Sequence, residues 1–410
     1  MKSYVDVERC HLCGSGDLRL VVVLGNQPLA NSLASVPGQD EARYPLRVIR
    51  CADCSLLQLD VNVDPEILFS QYVWTTGTSP STIAYCRALA TRIVAEVGKP
   101  EVRVLEMASN DGTLLKEFQQ LGAAVLGVDP AANIAAIAND AGIPTVTAFF
   151  DTGTAGRLVA EYGPFDVSIA RNVMSHVVDP RDCAAALATV LAPDGYAFVE
   201  FHSASTILSE LHYDSVYHEH TFYHSLHTMS ALLRDAGLQA VDVWPSPISG
   251  GSWVLVAKKT EQVHEKSAAL RQELAQEIEL GILSESRWTE FAQDVLHHRE
   301  MVLAALAQHR EGPVVGYGAS ARSSTVINFW GLNAGDISLI ADANPLKQGL
   351  HSPGSGIPIV SPDDALGTNP DCVLIFAFNF VDEIRERLVK DGWHGDLVVP
   401  FPSHVRVESI

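Results

Sequence analysis

From about residue 100, the chain alternates short runs of β-branched residues with longer segments of helical periodicity. VRVLEMA, AAVLGVD and FDVSIARN are typical of strands, and LKEFQQLG and NIAAIANDAG are typical of the helices between them. Such alternation predicts a parallel sheet whose strands are joined by crossover helices. The first strand is predicted to end at Glu106, the second at Asp129 and the fourth at Asn172.

A second α/β unit follows the first. GGSWVLVAKK at 250–259 is predicted to close the first sheet, and VVGYGASARSSTVINFWG opens a new strand, turn and helix. The 410 residues also exceed what one hydrophobic core usually covers. We therefore predict a small N-terminal domain at 1–70, an α/β core at 71–260, a helical linker at 261–311 and a C-terminal α/β domain at 312–410.

The N-terminal domain carries two C-x2-C pairs. Cys10 and Cys13 lie in CHLC, and Cys51 and Cys54 lie in CADC. Four thiolates can close a tetrahedron about Zn²⁺ and leave no position for water or substrate, so the pattern predicts a structural zinc site. Disulfides are the alternative interpretation. They are uncommon in the cytoplasm, where the absence of an export signal at MKSYVDVERC would place this chain.

Charge limits the classes of partner. The formal net charge is −21, from 49 acidic and 28 basic residues, and it opposes contact with a phosphate backbone or an anionic membrane. No apolar run approaches the length of a membrane span. We expect a cytoplasmic protein, a monomer or weak homodimer, with no nucleic-acid or membrane partner. A small phosphorylated ligand is compatible, because helix N-termini can reverse the field locally.

The turn after the first strand predicts a cofactor site. Asn110, Asp111 and Gly112 form a tight turn that opens the helix TLLKEFQQL, and Asp129 ends the second strand, where a carboxylate can accept two ribose hydroxyls. NAD would need G-x-G-x-x-G at this turn for its pyrophosphate, and the sequence EMASNDG lacks it. A cofactor without phosphates fits better, and S-adenosylmethionine is such a molecule.

Several residues are expected to hold that cofactor. Asp129 would take the ribose, while Asp111 and the backbone at Ala108 would face the amino-acid end. Phe150, after the third strand, would pack on adenine. The full predicted set consists of residues at the ends of consecutive strands: Glu106, Ala108, Asn110, Asp111, Asp129, Pro130, Phe150 and Asn172. Each of these residues alone could be an ordinary turn residue or a core aromatic residue. Their order along the chain is what favours a cofactor site.

These motifs together resemble one enzyme family. A CxxC…CxxC segment is followed by E-x-A-S-N-D-G-T-L-L, then by H-x-x-D-P after the fourth strand, then by Y-H-E-H. Nearly the whole chain is similar to the sugar C-methyltransferases of deoxysugar biosynthesis. The resemblance implies a class I methyltransferase (Rossmann-like) core, flanked by a zinc domain and a C-terminal Rossmann-like domain. It also implies methylation of a ring carbon beside a ketone in a nucleotide-linked sugar.

The segment YDSVYHEHTFYH at 213–224 then acquires a chemical meaning. Removing a proton beside a ketone needs a base near neutral pH, and the resulting enolate needs hydrogen-bond donors. By the family's Y-x-E-H motif, the resemblance places Tyr217, Glu219 and His220 in the active site, with His220 as the expected base. His176 would donate to the oxyanion or share the proton, and Tyr72 matches an aromatic lid residue of the family.

Two questions about this segment stay open in the sequence. An extended strand would direct His218 and His220 to the same side, whereas a turn would let Glu219 and His220 converge. Metal binding by His218, His220 and His224 is an alternative, although their spacing is not the H-E-x-x-H of zinc hydrolases. His202, His212 and His227 are expected to be surface or core residues.

The C-terminal domain carries a dinucleotide fingerprint. Gly316, Gly318 and Ala321 form G-x-G-x-x-A after a strand, and Asp342 ends the next strand. An NAD-linked nucleotide-sugar oxidoreductase is therefore the alternative function, and a non-catalytic ligand-binding protein is the third. The resemblance instead implies that this domain holds the nucleotide-sugar. The candidate substrate ligands lie at and after the turn: Gly318, Ser320, Arg322, Ser323 and Asn328.

Overall fold

The structure is a computed structural model that describes residues 3–38, 41–69, 76–78, 80–260, 264–309 and 312–410. Its N-terminal part is a small antiparallel sheet. Strands β2, β3 and β4 pair in sequence order, and Phe222–Tyr223 from the next domain adds a fourth strand beside β4. The elements are β1 (Tyr4–Asp6), β2 (Leu18–Pro28), β3 (Arg43–Cys51), β4 (Leu57–Leu59), β5 (Val61–Val63) and α1 (Pro65–Phe69).

The middle part is a seven-stranded sheet with helices on both faces. Its strands are β6 (Arg103–Met107), β7 (Ala124–Asp129), β8 (Thr145–Thr147), β9 (Phe165–Arg171), β10 (Leu191–His202), β12 (Leu238–Ser246) and β13 (Ser252–Lys259), while β11 is Phe222–Tyr223. Its helices are α2 (Pro80–Val97), α3 (Thr113–Gln120), α4 (Ala132–Asp140), α5 (Thr152–Tyr162), α6 (Pro180–Val190), α7 (Ala204–Glu210) and α8 (Leu226–Asp235).

The strand order of this sheet is β12-β13-β10-β9-β6-β7-β8, and β13 runs antiparallel to both of its neighbours. The strands from β8 to β10 are parallel. The order reverses at β6, so β7 and β9 flank it and their carboxyl ends open a crevice there, which is where sheets of this kind bind ligands. The first strands end close to where the sequence predicts.

The C-terminal part is a second sheet of the same kind, reached through two helices. The two connecting helices are α9 (Ala268–Leu280) and α10 (Glu285–Leu306). The helices of the C-terminal part itself are α11 (Ala321–Trp330), α12 (Pro362–Leu366) and α13 (Val381–Lys390). The strands are β14 (Val314–Tyr317), β15 (Leu339–Ala341), β16 (Ile359–Val360), β17 (Cys372–Ile375), β18 (Asp396–Val399) and β19 (Arg406–Ser409). Their order is β16-β15-β14-β17-β18-β19, with only the last strand antiparallel.

Apolar packing continues across the boundaries between these parts. One cluster of buried residues joins Val22 of β2 and Leu46 of β3 to Tyr213, Trp330 and the C-terminal sheet. Another joins Cys10 and Cys51 to helices α6 and α8. Trp330 is 2% exposed, and truncating a side chain of this size in a core costs about 3–5 kcal/mol. The segment that begins at Tyr213 is therefore built on a core shared by the N-terminal and C-terminal parts.

No helix within the described residues has both the length and the apolar character needed to cross a membrane.

Candidate active site and zinc centre

The four cysteines of the N-terminal domain meet at one point. Their sulfur atoms all lie within 4.8 Å of one another, with Cys10 Sγ 3.4 Å from Cys54 Sγ and Cys13 Sγ 3.5 Å from Cys51 Sγ. A disulfide would bring two sulfurs to about 2.05 Å, whereas a Zn²⁺ tetrahedron with bonds of about 2.3 Å separates them by roughly 3.8 Å. The cluster therefore fits a structural zinc ion and contains no disulfide.

The local backbone brings the sulfur atoms together. Gly14 adopts a φ of 77° and donates its N–H to the Cys10 carbonyl, and Ser55 with a φ of 67° does the same to Cys51. The Leu12 N–H points at Cys10 Sγ, 3.4 Å away. A hydrogen bond from Cys54 is the main cause that lowers the pKa of Cys10 to about 5. Cys10 therefore favours the thiolate form, whereas burial raises the pKa of Cys13 to about 11 and the hydrogen bond to Cys10 raises that of Cys54.

Asp129 lies at the carboxyl end of β7 and is 6% exposed. Its two carboxylate oxygens accept hydrogen bonds from the Asn110 and Ala131 backbone N–H groups, both at 2.9 Å. Burial raises the pKa of Asp129. Each oxygen retains a lone pair, so the carboxylate is held rigidly and can still accept the two hydroxyls of a ribose.

The turn after β6 has an uncommon backbone. Ala108 and Asn110 take left-handed φ values of 48° and 52°, and Gly112 follows with 75°. The Asn110 side chain accepts a bond from the Thr76 N–H at 2.9 Å. Asp111 accepts from the Gly77 N–H at 2.8 Å. Both predicted cofactor residues therefore also hold residues 76–78 over this turn.

The carboxyl ends of β6, β7 and β9 form the edge of the sheet that is predicted to hold the cofactor, here called the cofactor edge. A buried charge network lies under this edge, and sequence reasoning did not predict it. Arg171, at the end of β9, donates to Glu200 at 2.8 Å and lies 3.9 Å from Glu106. Tyr85 and Ser246 donate to the second oxygen of Glu200. Burial is the main cause that raises the pKa of Glu106 to about 8. The network links helix α2 to the ends of four strands, which no sequence spacing reveals.

The remaining predicted cofactor residues lie at the same edge of the sheet. Phe150 is half-buried and packs against two core clusters, and Pro130 follows Asp129 directly. Asn172 has a φ of 49°, and its N–H donates to the Glu200 carbonyl at 2.7 Å. The residues that the sequence orders along the chain are thus gathered on one crevice.

His220 is held in a defined tautomer. Its Nδ1 lies 2.9 Å from the Ser215 carbonyl oxygen, which can only accept, so Nδ1 carries the proton. Burial, with smaller contributions from neighbouring charges, lowers the pKa of His220 well below its usual value. The neutral ring therefore accepts at Nε2, where the Tyr217 hydroxyl donates at 2.7 Å. No sequence signal pointed to the Ser215 carbonyl.

The Y-H-E-H segment is a turn, which answers the question that the sequence left open. The His220 N–H donates to the Tyr217 carbonyl at 2.8 Å, and the Thr221 N–H donates to the Ser175 carbonyl at 2.7 Å. The second bond brings His176 beside His220, with ring centroids 4.7 Å apart. His176 is hydrogen-bonded to the Glu219 backbone, and burial lowers its pKa to about 4, so it is neutral at pH 7.

Glu219 is 6% exposed and points toward the N-terminal domain. The Asn31 amide donates to Glu219 Oε1 at 3.0 Å, and burial raises the pKa of the carboxyl group. Among the described residues, Glu219 Oε2 has no hydrogen-bond partner. Asn31 connects the zinc domain to the turn at 217–220. The two residues of this contact are 188 positions apart, and sequence analysis did not anticipate it.

The histidine metal site considered as an alternative does not assemble. His218 turns away from His220, with Nε2 3.1 Å from the Pro45 carbonyl and its ring 5.7 Å from that of Tyr44. Within the described part of the chain, the four cysteines are the single group with metal-binding geometry. His227 pairs with Glu277 at 2.7 Å. Tyr72, the expected lid residue, lies outside the described residues.

Four of the five predicted substrate residues of the C-terminal domain lie at the start of α11, and Asn328 lies in its last turn. Gly318 has a φ of 103°, and Ser320 and Ser323 cap the helix reciprocally. Asn328 donates to the Ser324 and Pro353 carbonyls. Arg322 is engaged by Asp214 through two hydrogen bonds of 2.7 and 2.8 Å. The side chains of these candidates therefore have structural partners within the protein.

Residues of the dinucleotide fingerprint are partly engaged by other groups of the protein. Asp342 accepts from the Ala319 and Asn344 N–H groups, both at 2.8 Å, and Lys347 Nζ lies 3.4 Å from it. A side chain on Gly316 would meet the Phe376 ring at 2.6 Å. This glycine therefore serves packing between strands.

Three family models match consecutive parts of the chain. A zinc binding domain matches residues 10–69, a methyltransferase domain matches 82–243, and a C-methyltransferase C-terminal domain matches 247–402. The order of the three is the order of the parts described above. These matches confirm the predicted class I methyltransferase core with its zinc-binding and C-terminal α/β domains.

Individual relatives agree with the family models. The C-methyltransferase NovU of Streptomyces niveus is 34% identical over 413 residues, which cover 98% of each chain. A ubiquinone biosynthesis O-methyltransferase of Burkholderia pseudomallei is 26% identical over 37% of this chain and 70% of its own. The magnesium protoporphyrin IX methyltransferase of Synechocystis, solved with S-adenosylmethionine, has a TM-score of 0.36 at 15% identity, covering 48% of this chain and 98% of its own.

The full-length similarity to NovU and the three domain matches lead to one conclusion. The cofactor edge fits S-adenosylmethionine and the cysteine cluster fits zinc, as the sequence predicted. The chain, with its zinc binding domain, belongs to the family of S-adenosylmethionine-dependent C-methyltransferases that includes NovU.

Proposed function

We propose that this enzyme methylates a nucleoside-diphosphate-linked 4-keto-deoxysugar, with dTDP as the expected carrier. The methylated carbon lies α to the ketone, at C-3 or C-5. Carbon is a poor nucleophile, so the neighbouring carbonyl must first acidify its C–H bond and a protein base must remove the proton. The product is an enolate, whose charge rests on oxygen.

The hydrogen-bond chain from Ser215 through His220 to Tyr217 carries this proposal. The Ser215 carbonyl holds the proton on Nδ1, so that the basic lone pair of His220 lies at Nε2. Burial keeps the imidazole neutral and therefore able to accept a proton. The base would act after the Tyr217 hydroxyl moves aside, or through that hydroxyl.

The other residues have supporting roles in the proposal. His176, 4.7 Å from His220 between ring centroids, would donate to the enolate oxygen or share the proton. Glu219, fixed by Asn31, would contact the sugar or orient the turn. Tyr72 would close over the substrate. Asp129 would hold the ribose of S-adenosylmethionine, which supplies an electrophilic methyl group when bound.

The C-terminal domain would hold the nucleotide of the substrate. The Gly318 N–H donates to the Ala341 carbonyl, and the Ser320 and Ser323 N–H groups are capped by each other's hydroxyls. These bonds fix the start of α11, and the positive end of the helix dipole there would favour phosphate oxygens. Asn328, in the same helix, braces the loop at Pro353 and would keep this surface in shape.

Methyl transfer tests the proposal. The purified protein would be incubated with methyl-labelled S-adenosylmethionine and a panel of 4-keto-deoxysugar nucleotides, with mass spectrometry of the products. A gain of one methyl group on a carbon beside the ketone is expected. Hydride exchange with NAD and no methylation would instead favour the oxidoreductase, and transfer of the methyl group to oxygen or nitrogen would reject an enolate mechanism.

A further inference from the structure

The short segment 213–216, which precedes the catalytic turn, is held by the C-terminal domain. Arg322, in the first turn of α11, makes a two-pronged ion pair with Asp214 at 2.7 and 2.8 Å. The side chains are 17% and 2% exposed, respectively. Arg322 also donates to the Ser249 carbonyl at 3.1 Å and lies over the Phe378 ring. Its fork of donors is therefore used within the protein.

A second anchor lies one helical turn further along α11. The Thr325 hydroxyl donates to the Val216 carbonyl at 3.0 Å, and Thr325 is fully buried. At the end of the helix, Trp330 Nε1 donates to the Tyr213 hydroxyl at 2.8 Å. That hydroxyl is also 2.8 Å from His298 Nδ1 in the linker helix α10. One face of α11 thus fixes residues on both sides of Ser215.

Ser215 is the residue whose carbonyl holds the proton on Nδ1 of His220. A shift of that carbonyl would release the imidazole, because the neutral ring could then rotate or exchange its tautomer. We propose that Arg322 and Thr325 are positioning residues that set the orientation of His220 through Asp214 and Val216. This inference rests on the proposed function, in which His220 is the base.

The ion pair favours this role over direct contact with a diphosphate. Asp214 compensates the charge of Arg322, and an incoming phosphate would have to displace a buried carboxylate that has no other cation at this distance among the described residues. The geometry is that of a bidentate clamp, which fixes orientation as well as charge. Arg322, in the C-terminal domain, then affects the reaction by orienting His220 of the methyltransferase domain through Asp214.

Kinetics separate the two roles of Arg322. In Arg322→Met, kcat is expected to fall about 10- to 100-fold, the size of loss that misplacing a catalytic group by about 1 Å produces, while KM for the nucleotide-sugar changes less than about twofold. Arg385→Met is the matched control, because Arg385 pairs only with Asp382 and Glu408 among the ion pairs of the described residues. A KM raised at least tenfold with kcat unchanged would overturn the proposal and make Arg322 a substrate ligand.

A spectroscopic measurement avoids dependence on activity. Nitrogen NMR of histidine-labelled protein distinguishes protonated from bare ring nitrogens, and the His220→Asn spectrum assigns the His220 signals. The wild type is expected to show a protonated Nδ1, and both Arg322→Met and Thr325→Val are expected to show a mixture. Thr325→Val keeps the shape and charge of the site, which covers the case in which Arg322→Met fails to fold.

The two readouts also separate this inference from the proposed function. Unchanged His220 signals in a folded Thr325→Val protein would overturn the positioning role, whether or not Arg322→Met folds and even if the enzyme methylates keto-sugars. Conversely, wild-type protein that methylates no keto-sugar would reject the proposed function, while a tautomer mixture in both variants would still support the clamp.

Discussion

At the scale of single residues, the chemistry of this site depends on which atoms of a side chain are already engaged. His220 is directed by a backbone carbonyl on one nitrogen and by a phenol on the other. Asp129 is directed by two backbone N–H groups. In both side chains, hydrogen bonds to the backbone fix the orientation of the functional group.

Asp129→Ala is expected to weaken S-adenosylmethionine binding by about 2–4 kcal/mol, because two charge-assisted hydrogen bonds to the ribose are lost. Isothermal titration would measure this as a rise in Kd. Asp140→Ala is the control, since Asp140 is an exposed carboxylate at the end of α4 and should leave Kd unchanged. Equal affinities of wild type and Asp129→Ala would place the cofactor elsewhere.

The sequence allowed the positions of candidate residues to be predicted, but not their hydrogen-bond and ion-pair partners. Asp129 and Asp111 were predicted as cofactor residues from their positions after strands, and the structure places them at the end of β7 and in the turn after β6. Arg322 stays a predicted substrate ligand, but its ion pair could not be predicted, because its partner Asp214 is 108 residues away. The backbone of Ala108 could not be predicted either, because nothing in the neighbouring sequence indicates its φ of 48°.

At the scale of elements, the strand and helix boundaries near the cofactor follow from local patterns. Apolar runs of about five residues ending in polar turns predicted β6, β7 and β9 within a few positions. The turn at 217–220 could not be predicted in this way, because its shape is set by the Ser175 carbonyl and by β4 of the zinc domain. Long-range backbone hydrogen bonds leave no periodic signature.

The two cysteine knuckles make a prediction at this scale. Elemental analysis should find one zinc atom per chain in the wild type, and Cys51→Ser should lose it and unfold at a lower temperature. Cys51 is fully buried and supplies one of four sulfurs, so its loss leaves the cluster incomplete. Cys372→Ala is the control, because this buried thiol lies in the C-terminal sheet and should not change the zinc content.

A wild-type protein that contains no zinc after purification without chelators would contradict the assignment, as would a disulfide between any two of the four cysteines.

At the scale of the whole molecule, the histidines near the interface between domains are buried and neutral. Burial lowers the pKa of His176, His218 and His224 to about 4 and that of His212 to about 3. Their unfolded values lie near 6.5. Between these limits the unfolded chain binds more protons than the folded protein, so stability falls as the pH falls.

Calorimetry should therefore show a constant contribution from these groups above about pH 6.5 and a steep loss of stability between about pH 6.5 and 4. Each histidine contributes at most about 1.4 kcal/mol per pH unit in its window. His224→Phe, placed between the rings of Phe201 and Phe222, should flatten this dependence. His394→Asn, on the exposed surface, should not. The same slope in all three proteins would show that other groups dominate.

The most direct test of the central claim is exchange of the sugar's α-hydrogen with deuterated water. Wild-type enzyme with keto-sugar nucleotide and S-adenosylhomocysteine, which has no methyl group to transfer, should exchange that hydrogen. His220→Asn should bind both molecules with unchanged affinity but lose the exchange, and its kcat for methylation should fall about 10²- to 10⁴-fold, the usual share of a general base. Exchange that persists in His220→Asn and disappears in a His176 variant would contradict the account and assign the base to His176.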